Sequence, residues 1–205
     1  TLYNENYVMP ALPDGRAEEI EAGAVRGLYR HEGAPDGPSK RATILFSGIS
    51  HGAATEARDA LAEHYDVGAE LWSATSYKKL REDALAAERW NRLHPSQEPR
   101  TPLVADLLGQ TAGPITAVSD FMKIVPEQIA RWAPRDRPFN ILGTDGMGRS
   151  DTREALRRFF EIDTGHVVVA VLTGLLEAGR IEPSVVEDAI ARYGIDPEAN
   201  DPYWI

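Results

Sequence analysis

The sequence predicts a three-layer α/β/α domain on a mostly parallel, mixed five-stranded sheet. Three observations lead there. Short apolar runs alternate with longer helical patterns along the chain, as in successive β-α-β units. Residues 42–74 read as strand, turn, helix and strand, so those two strands should be parallel with a right-handed crossover. Residues 139–163, FNILGTDGMGRSDTREALRRFFEID, read as a strand, a glycine-hinged loop and an amphipathic helix. That is how α/β sheets place functional loops. There is no internal repeat and no low-complexity run.

Taken in order, residues 1–15 read as an arm entering the domain, with Pro13-Asp14-Gly15 as a turn. Residues 16–23 suit one or two helical turns, and residues 25–31 an edge strand. Residues 34–39, APDGPS, form an exposed turn. Residues 42–46 are a buried strand. Residues 53–65 form a helix with Ala57, Leu61 and Tyr65 on one face, and residues 67–74 the next strand. Residues 77–93 make a charged helix stopped by Pro95. Residues 103–108 fit either a helix or a strand. Residues 114–118 read as a strand, and residues 121–132 as a helix that Pro126 starts or interrupts. Residues 139–142 suit a strand covered on both faces. Asp151 and Glu154 have the spacing of a capping box, and Leu156, Phe159 and Phe160 fall on one helical face. Residues 166–178 form a strongly apolar helix. Residues 183–193 form the last helix, and Gly194 suits its C′ position.

Bulk properties exclude several functions. The 205 residues suffice for one domain with a real core. With 22 basic and 32 acidic residues the net charge is −10, which disfavours nucleic acid and anionic membranes as partners. The absence of cysteine removes disulfides, thiolate metal sites and cysteine nucleophiles, and fits a cytoplasmic location. No apolar run approaches the roughly 20 residues of a membrane span. The chain opens without a signal-peptide pattern and without Met, which suggests a fragment or a processed chain.

One short motif carries possible chemistry. Gly48-Ile-Ser50-His-Gly52 matches G-x-S-x-G, the nucleophile elbow of serine hydrolases, between a strand and a helix. Asp120 or Asp145, then His166, follow in the right chain order. Against this, no oxyanion loop of the HGGG type precedes Ser50, and His166 begins an apolar helix where it should cap or pack. Residues 143–150 could cradle an anion at a helix N-terminus, with Arg149 the only nearby base, but they form neither a dinucleotide fingerprint nor a P-loop. His31, His51, His64, His94 and His166 are scattered without metal-ligand spacing. The tryptophans at 72, 90, 132 and 204 read as core or interface anchors, and Trp132 with Phe121 could mark a subunit contact on one helix.

Four separated phrases carry a resemblance: NENY at 4–7, ERWNRLHP at 88–95, SDFMKIVPEQI at 119–129, and GTDGMGRSDTREALRRFFEID at 143–163. In collinear order they resemble the C-terminal domain of thiamine-diphosphate enzymes of the transketolase superfamily. More narrowly, they resemble that of the homodimeric, acetyl-transferring pyruvate dehydrogenase decarboxylases. Met147 stands where that family often shows an aromatic residue. The resemblance implies residues 1–24 as a linker from a middle domain and residues 25–205 as a transketolase C-terminal-like domain. It implies a cytoplasmic homodimer that works with a dihydrolipoyl acyltransferase. Thiamine diphosphate and magnesium would be bound by domains outside this chain. No catalytic, cofactor-binding or metal-ligating residue is therefore expected here, and the chain alone should be inactive. The rival expectations are a free-standing hydrolase using Ser50 and a stand-alone interaction module.

Overall fold

The computed structural model describes residue 6, residues 11–13 and residues 15–204. The NENY phrase lies outside the described residues except for Asn6. Five strands form one sheet: β1 (Tyr29–Glu32), β2 (Lys40–Phe46), β3 (Val67–Ser73), β4 (Ile115–Val118) and β5 (Phe139–Leu142). Their order is β1-β3-β2-β4-β5. All neighbours are parallel except β1, which runs antiparallel to β3. The β2–β3 ladder is the longest, in register from Lys40↔Val67 to Phe46↔Ser73. The predicted mixed sheet is thus the one observed.

Successive side chains of a strand point to opposite faces, and the central strands bury both. Ile44 and Phe46 enter one core, with α2 (His51–Tyr65), α7 (Thr164–Glu177) and α8 (Pro183–Arg192). Leu45 enters the other, with Leu80 and Ala84 of α3 (Tyr77–Leu93), Val104 and Leu108 of α4 (Leu103–Gly109), and Ile129 of α5 (Ile124–Ala130). The remaining helices are α1 (Ala17–Arg26) and α6 (Arg153–Phe159). Residues 103–108, open to two readings, are helical. Asp83 Oδ2 accepts the Leu103 N–H at 2.7 Å, capping from α3 a helix whose own N-cap is a proline.

Several details differ from expectation. Val25 and Arg26 belong to α1, because the helix runs on until Gly27, in the left-handed region at φ 109°, returns its N–H to Gly23 O. The strand after it therefore starts at Tyr29. β5 lies at the sheet edge, so its four residues are half-buried rather than covered on both faces. Phe121 and Trp132 do not share a helix, since α5 starts at Ile124 and ends at Ala130. The cap of α6 is Thr152, one residue after the expected Asp151. Thr152 Oγ1 accepts the Ala155 N–H at 3.2 Å.

Residues Arg153–Glu177, taken as one 25-residue helical stretch, are long and apolar enough to cross a membrane by length and composition. The chain breaks there between α6 and α7, with Glu161 at φ 59°. Val167, Val168, Val171, Leu172 and Leu175 of α7 are core residues against the sheet. Gly174 lets α7 approach closely: a Cβ there would stand 2.7 Å from Pro114 Cβ.

Candidate functional site

In an open α/β sheet, functional loops gather at the carboxyl ends of the strands, around the point where connections leave in opposite directions. Here that point lies between β2 and β4. It is closed by a buried hydrogen bond from Ser47 Oγ to Ser119 Oγ at 2.9 Å. Ser119 Oγ also accepts the Phe121 N–H at 3.0 Å and so folds the loop after β4.

That loop is laced to the glycine loop after β5. Thr144 donates its N–H to Phe121 O at 2.9 Å and its hydroxyl to Asp120 O at 2.8 Å. Asp145 Oδ1 accepts the Lys123 N–H at 3.0 Å. Gly143 makes the approach possible, since a Cβ there would meet Phe121 O at 2.6 Å. On its other side the glycine loop meets the chain near its end. Gly146, at φ 101°, faces Pro202, whose carbonyl oxygen would stand 2.1 Å from an added Cβ. Tyr203 and Trp204 follow in a 3-10 turn, their rings edge to face at 4.6 Å.

These three adjoining segments present Phe121, Met122, Ile124, Met147, Tyr203 and Trp204 to solvent. Met147 is 72% and Trp204 78% exposed. Gly146, Met147, Arg149, Tyr203 and Trp204 line a shallow recess of about 460 Å³. A single exposed apolar side chain is ordinary. Six large ones, on loops hydrogen-bonded to one another at one edge of the sheet, make a contiguous apolar patch of the kind that marks interaction sites. The sequence expectation had Trp204 as an anchor and Phe121 as a contact residue. Trp132 is instead partly buried, with its Nε1 donating to Glu88 Oε1 at 2.8 Å.

The hydrolase arrangement does not form. A nucleophile elbow holds its serine in a strained turn. Ser50 has φ −68° and ψ −5°, ordinary right-handed backbone, and the positive φ falls on Gly48. Ser50 is buried, and its Oγ has no hydrogen-bond partner. His166 turns to Asp163, which caps α7: Asp163 Oδ1 accepts from His166 N at 2.9 Å and pairs with His166 Nδ1 at 2.7 Å. Burial alone would raise the Asp163 pKa. The hydrogen bonds from the His166 ring and N–H, with Arg158 beside it, outweigh burial and lower it. Asp145 is committed to Lys123.

Ser50 does line a cleft of about 810 Å³ between α2, α6 and α7. Polar groups in its wall bind one another. Thr164 Oγ1 donates to Glu56 at 2.6 Å, and Arg158 bonds Asp163 at 3.2 Å and Gly194 O at 2.6 Å. The base of the glycine loop, Arg149, lies over the Phe159 ring at 5.2 Å. His94 stacks on Trp90 at 4.5 Å, and its carbonyl accepts the Gln97 N–H at 3.0 Å across the turn that holds Pro95. Two of the histidines do meet, contrary to the expectation of scatter: His31 Nε2 and His51 Nε2 are 3.3 Å apart.

The chain belongs to the transketolase-like C-terminal domain family, whose model matches residues 27–163. More particularly, it is 46% identical over 202 residues to the pyruvate dehydrogenase E1 component of Pseudomonas aeruginosa, covering 98% of this chain and 22% of that protein. It is 42% identical over 202 residues to that of Escherichia coli K12, with the same coverage. For Mycolicibacterium smegmatis the figures are 45% over 196 residues, 96% and 21%. The chain thus spans about one fifth of the length of these curated bacterial relatives. Two solved structures share the fold. One is a split-gene transketolase described as an inactive β4 tetramer (TM-score 0.51, 18% identity, 74% of this chain and 43% of that one). The other is a Pichia stipitis transketolase in complex with sedoheptulose 7-phosphate (TM-score 0.50, 15% identity, 77% and 19%).

Proposed function

We propose that this chain is the C-terminal dimerisation and scaffold domain of a bacterial pyruvate dehydrogenase of the homodimeric E1 kind. The observation that carries the reading is the apolar edge formed by Phe121, Met122, Ile124, Met147, Tyr203 and Trp204. Its occupant is a second copy of the longer protein, held by burial of these side chains. Residues 25–205 form the domain and residues 1–24 the arm that joins it to a middle domain. The whole enzyme decarboxylates pyruvate with thiamine diphosphate and passes the acetyl group to the lipoyl group of a dihydrolipoyl acyltransferase, in the cytoplasm.

The described residues do not fit magnesium at a diphosphate. Magnesium at a diphosphate takes carboxylate and other oxygen ligands, and no group of three or more His, Cys, Asp or Glu among the described residues could hold a metal ion. No chemical step is assigned to this chain, and its residues act by holding the assembly together.

The test is made in the full-length protein. Met147→Asp with Trp204→Asp should shift the sedimentation coefficient from dimer toward monomer, with pyruvate turnover falling in parallel. An unchanged dimer would overturn the reading. Separately, the 205-residue chain with added thiamine diphosphate and magnesium should show no pyruvate decarboxylation, and measurable turnover would refute its scaffold role.

A further inference from the structure

His31 reaches His51 because of an irregularity in the sheet edge. In the β1–β3 ladder, Arg30 pairs with Trp72 and Glu32 with Leu71, so His31 is an extra residue. Such a bulge re-aims a side chain. Here the imidazole turns toward the start of α2. It packs edge to face on Phe46 at 5.4 Å and on His51 at 5.0 Å. His51, in the first turn of α2, packs on the same phenyl ring at 5.2 Å. Both imidazoles are half-buried, and burial lowers the pKa of each. Thr55 Oγ1, one turn along α2, stands 3.4 Å from His51 Nε2. The nearby cations are already paired, Arg58 with Glu32 at 2.9 Å and Arg16 with Glu19 at 3.0 Å.

We propose that His31 Nε2 and His51 Nε2 form a two-nitrogen binding site for a tetrahedral divalent transition-metal ion of the Zn²⁺ type. The separation of the nitrogens suits tetrahedral ligation. Zn–N bonds of about 2.0 Å at the tetrahedral angle put two nitrogens about 3.3 Å apart, the distance observed between these atoms. Square-planar ligation, as for Cu²⁺ or Ni²⁺, would need about 2.8 Å with similar bonds. Phe46 fixes both rings from one side, so little ordering is left to the ion. Water and the Thr55 hydroxyl complete the shell. In the metal-free pair one Nε2 carries the proton and the other accepts it. On binding, that proton moves to the Nδ1 of its own ring through solvent, both Nε2 lone pairs face the metal, and no net proton is released. The site is chemically distinct from an oxygen-ligated magnesium site.

The test is calorimetric titration of the 205-residue chain with Zn²⁺ in excess Mg²⁺, alongside His31→Ala and His51→Ala. One Zn²⁺ per chain, bound at least ten-fold more weakly by each variant, is expected. A second measurement needs no variant. Co²⁺ should develop intense visible bands of tetrahedral ligation and broaden the ring resonances of His31 and His51 first. No Zn²⁺ binding at millimolar concentration, undiminished binding by either folded variant, or broadening centred on His64, His94 or His166 would each overturn the site.

Discussion

Asp66 shows how one side chain can end a helix and start a strand. It sits past α2 at φ 57°, a left-handed position that Asp tolerates better than most residues. Its carboxylate accepts from the Ser39 hydroxyl, from Ser39 N at 2.8 Å and from Lys40 Nζ at 3.1 Å. These bonds, the Ser39 hydroxyl first, lower its pKa from 3.8 to about 2. The unfolded chain therefore takes up this proton at a higher pH than the native one. The stabilisation is full above pH 3.8 and is lost as pH falls toward 2. Asp66→Asn should flatten the acid limb of a stability–pH curve in that window, as read from urea midpoints. Gly113 is a second such position. At φ 71°, with an added Cβ only 1.7 Å from Arg41 O, it lets the chain enter β4 beside β2. Left-handed strain and the displaced strand together should make Gly113→Ala cost about 3 kcal/mol, measurable by denaturant unfolding.

Helix ends were harder to read from sequence than helix bodies, and α6 shows why. Asp151 and Glu154 have capping-box spacing, but the adjacent Thr152 also carries a side-chain oxygen able to cap the N–H three residues on. Only the backbone entering the helix decides, and Thr152 has the extended φ −63°, ψ 153° of an N-cap. Asp151 instead accepts the adjacent Thr152 N–H at 2.7 Å. Thr152→Ala should therefore destabilise the domain by about 1 kcal/mol and Asp151→Ala by less, a difference that thermal unfolding of the two variants resolves. The strands were legible because β2, β3 and β4 are largely buried on both faces and carry apolar stretches with few polar interruptions. β5 reads the same way, yet it lies at the edge. An apolar run reports burial by helices and does not say whether a further strand lies beside it.

At the scale of the molecule, sheet, crossover and layers were readable from the alternation of elements. The loop edge was readable only in part. Phe121, Met147 and Trp204 are separated by long stretches of sequence, and nothing in their spacing says that they meet. Their juxtaposition depends on Gly143 and Gly146, whose missing side chains admit the backbones of two distant segments. His31 and His51 were missed for a similar reason, because a bulge leaves no periodic trace in a strand of four residues. The contact between Gly146 and Pro202 also makes the loop's order depend on residues far away in sequence. A protease that trims the chain back past Pro202 would unlatch the glycine loop without touching it. Amide hydrogens of residues 143–149 should then exchange faster with deuterium, while those of β2 and β3 keep their protection. Residues 202–204 thus tie the order of the apolar edge to a segment far from the loop in sequence.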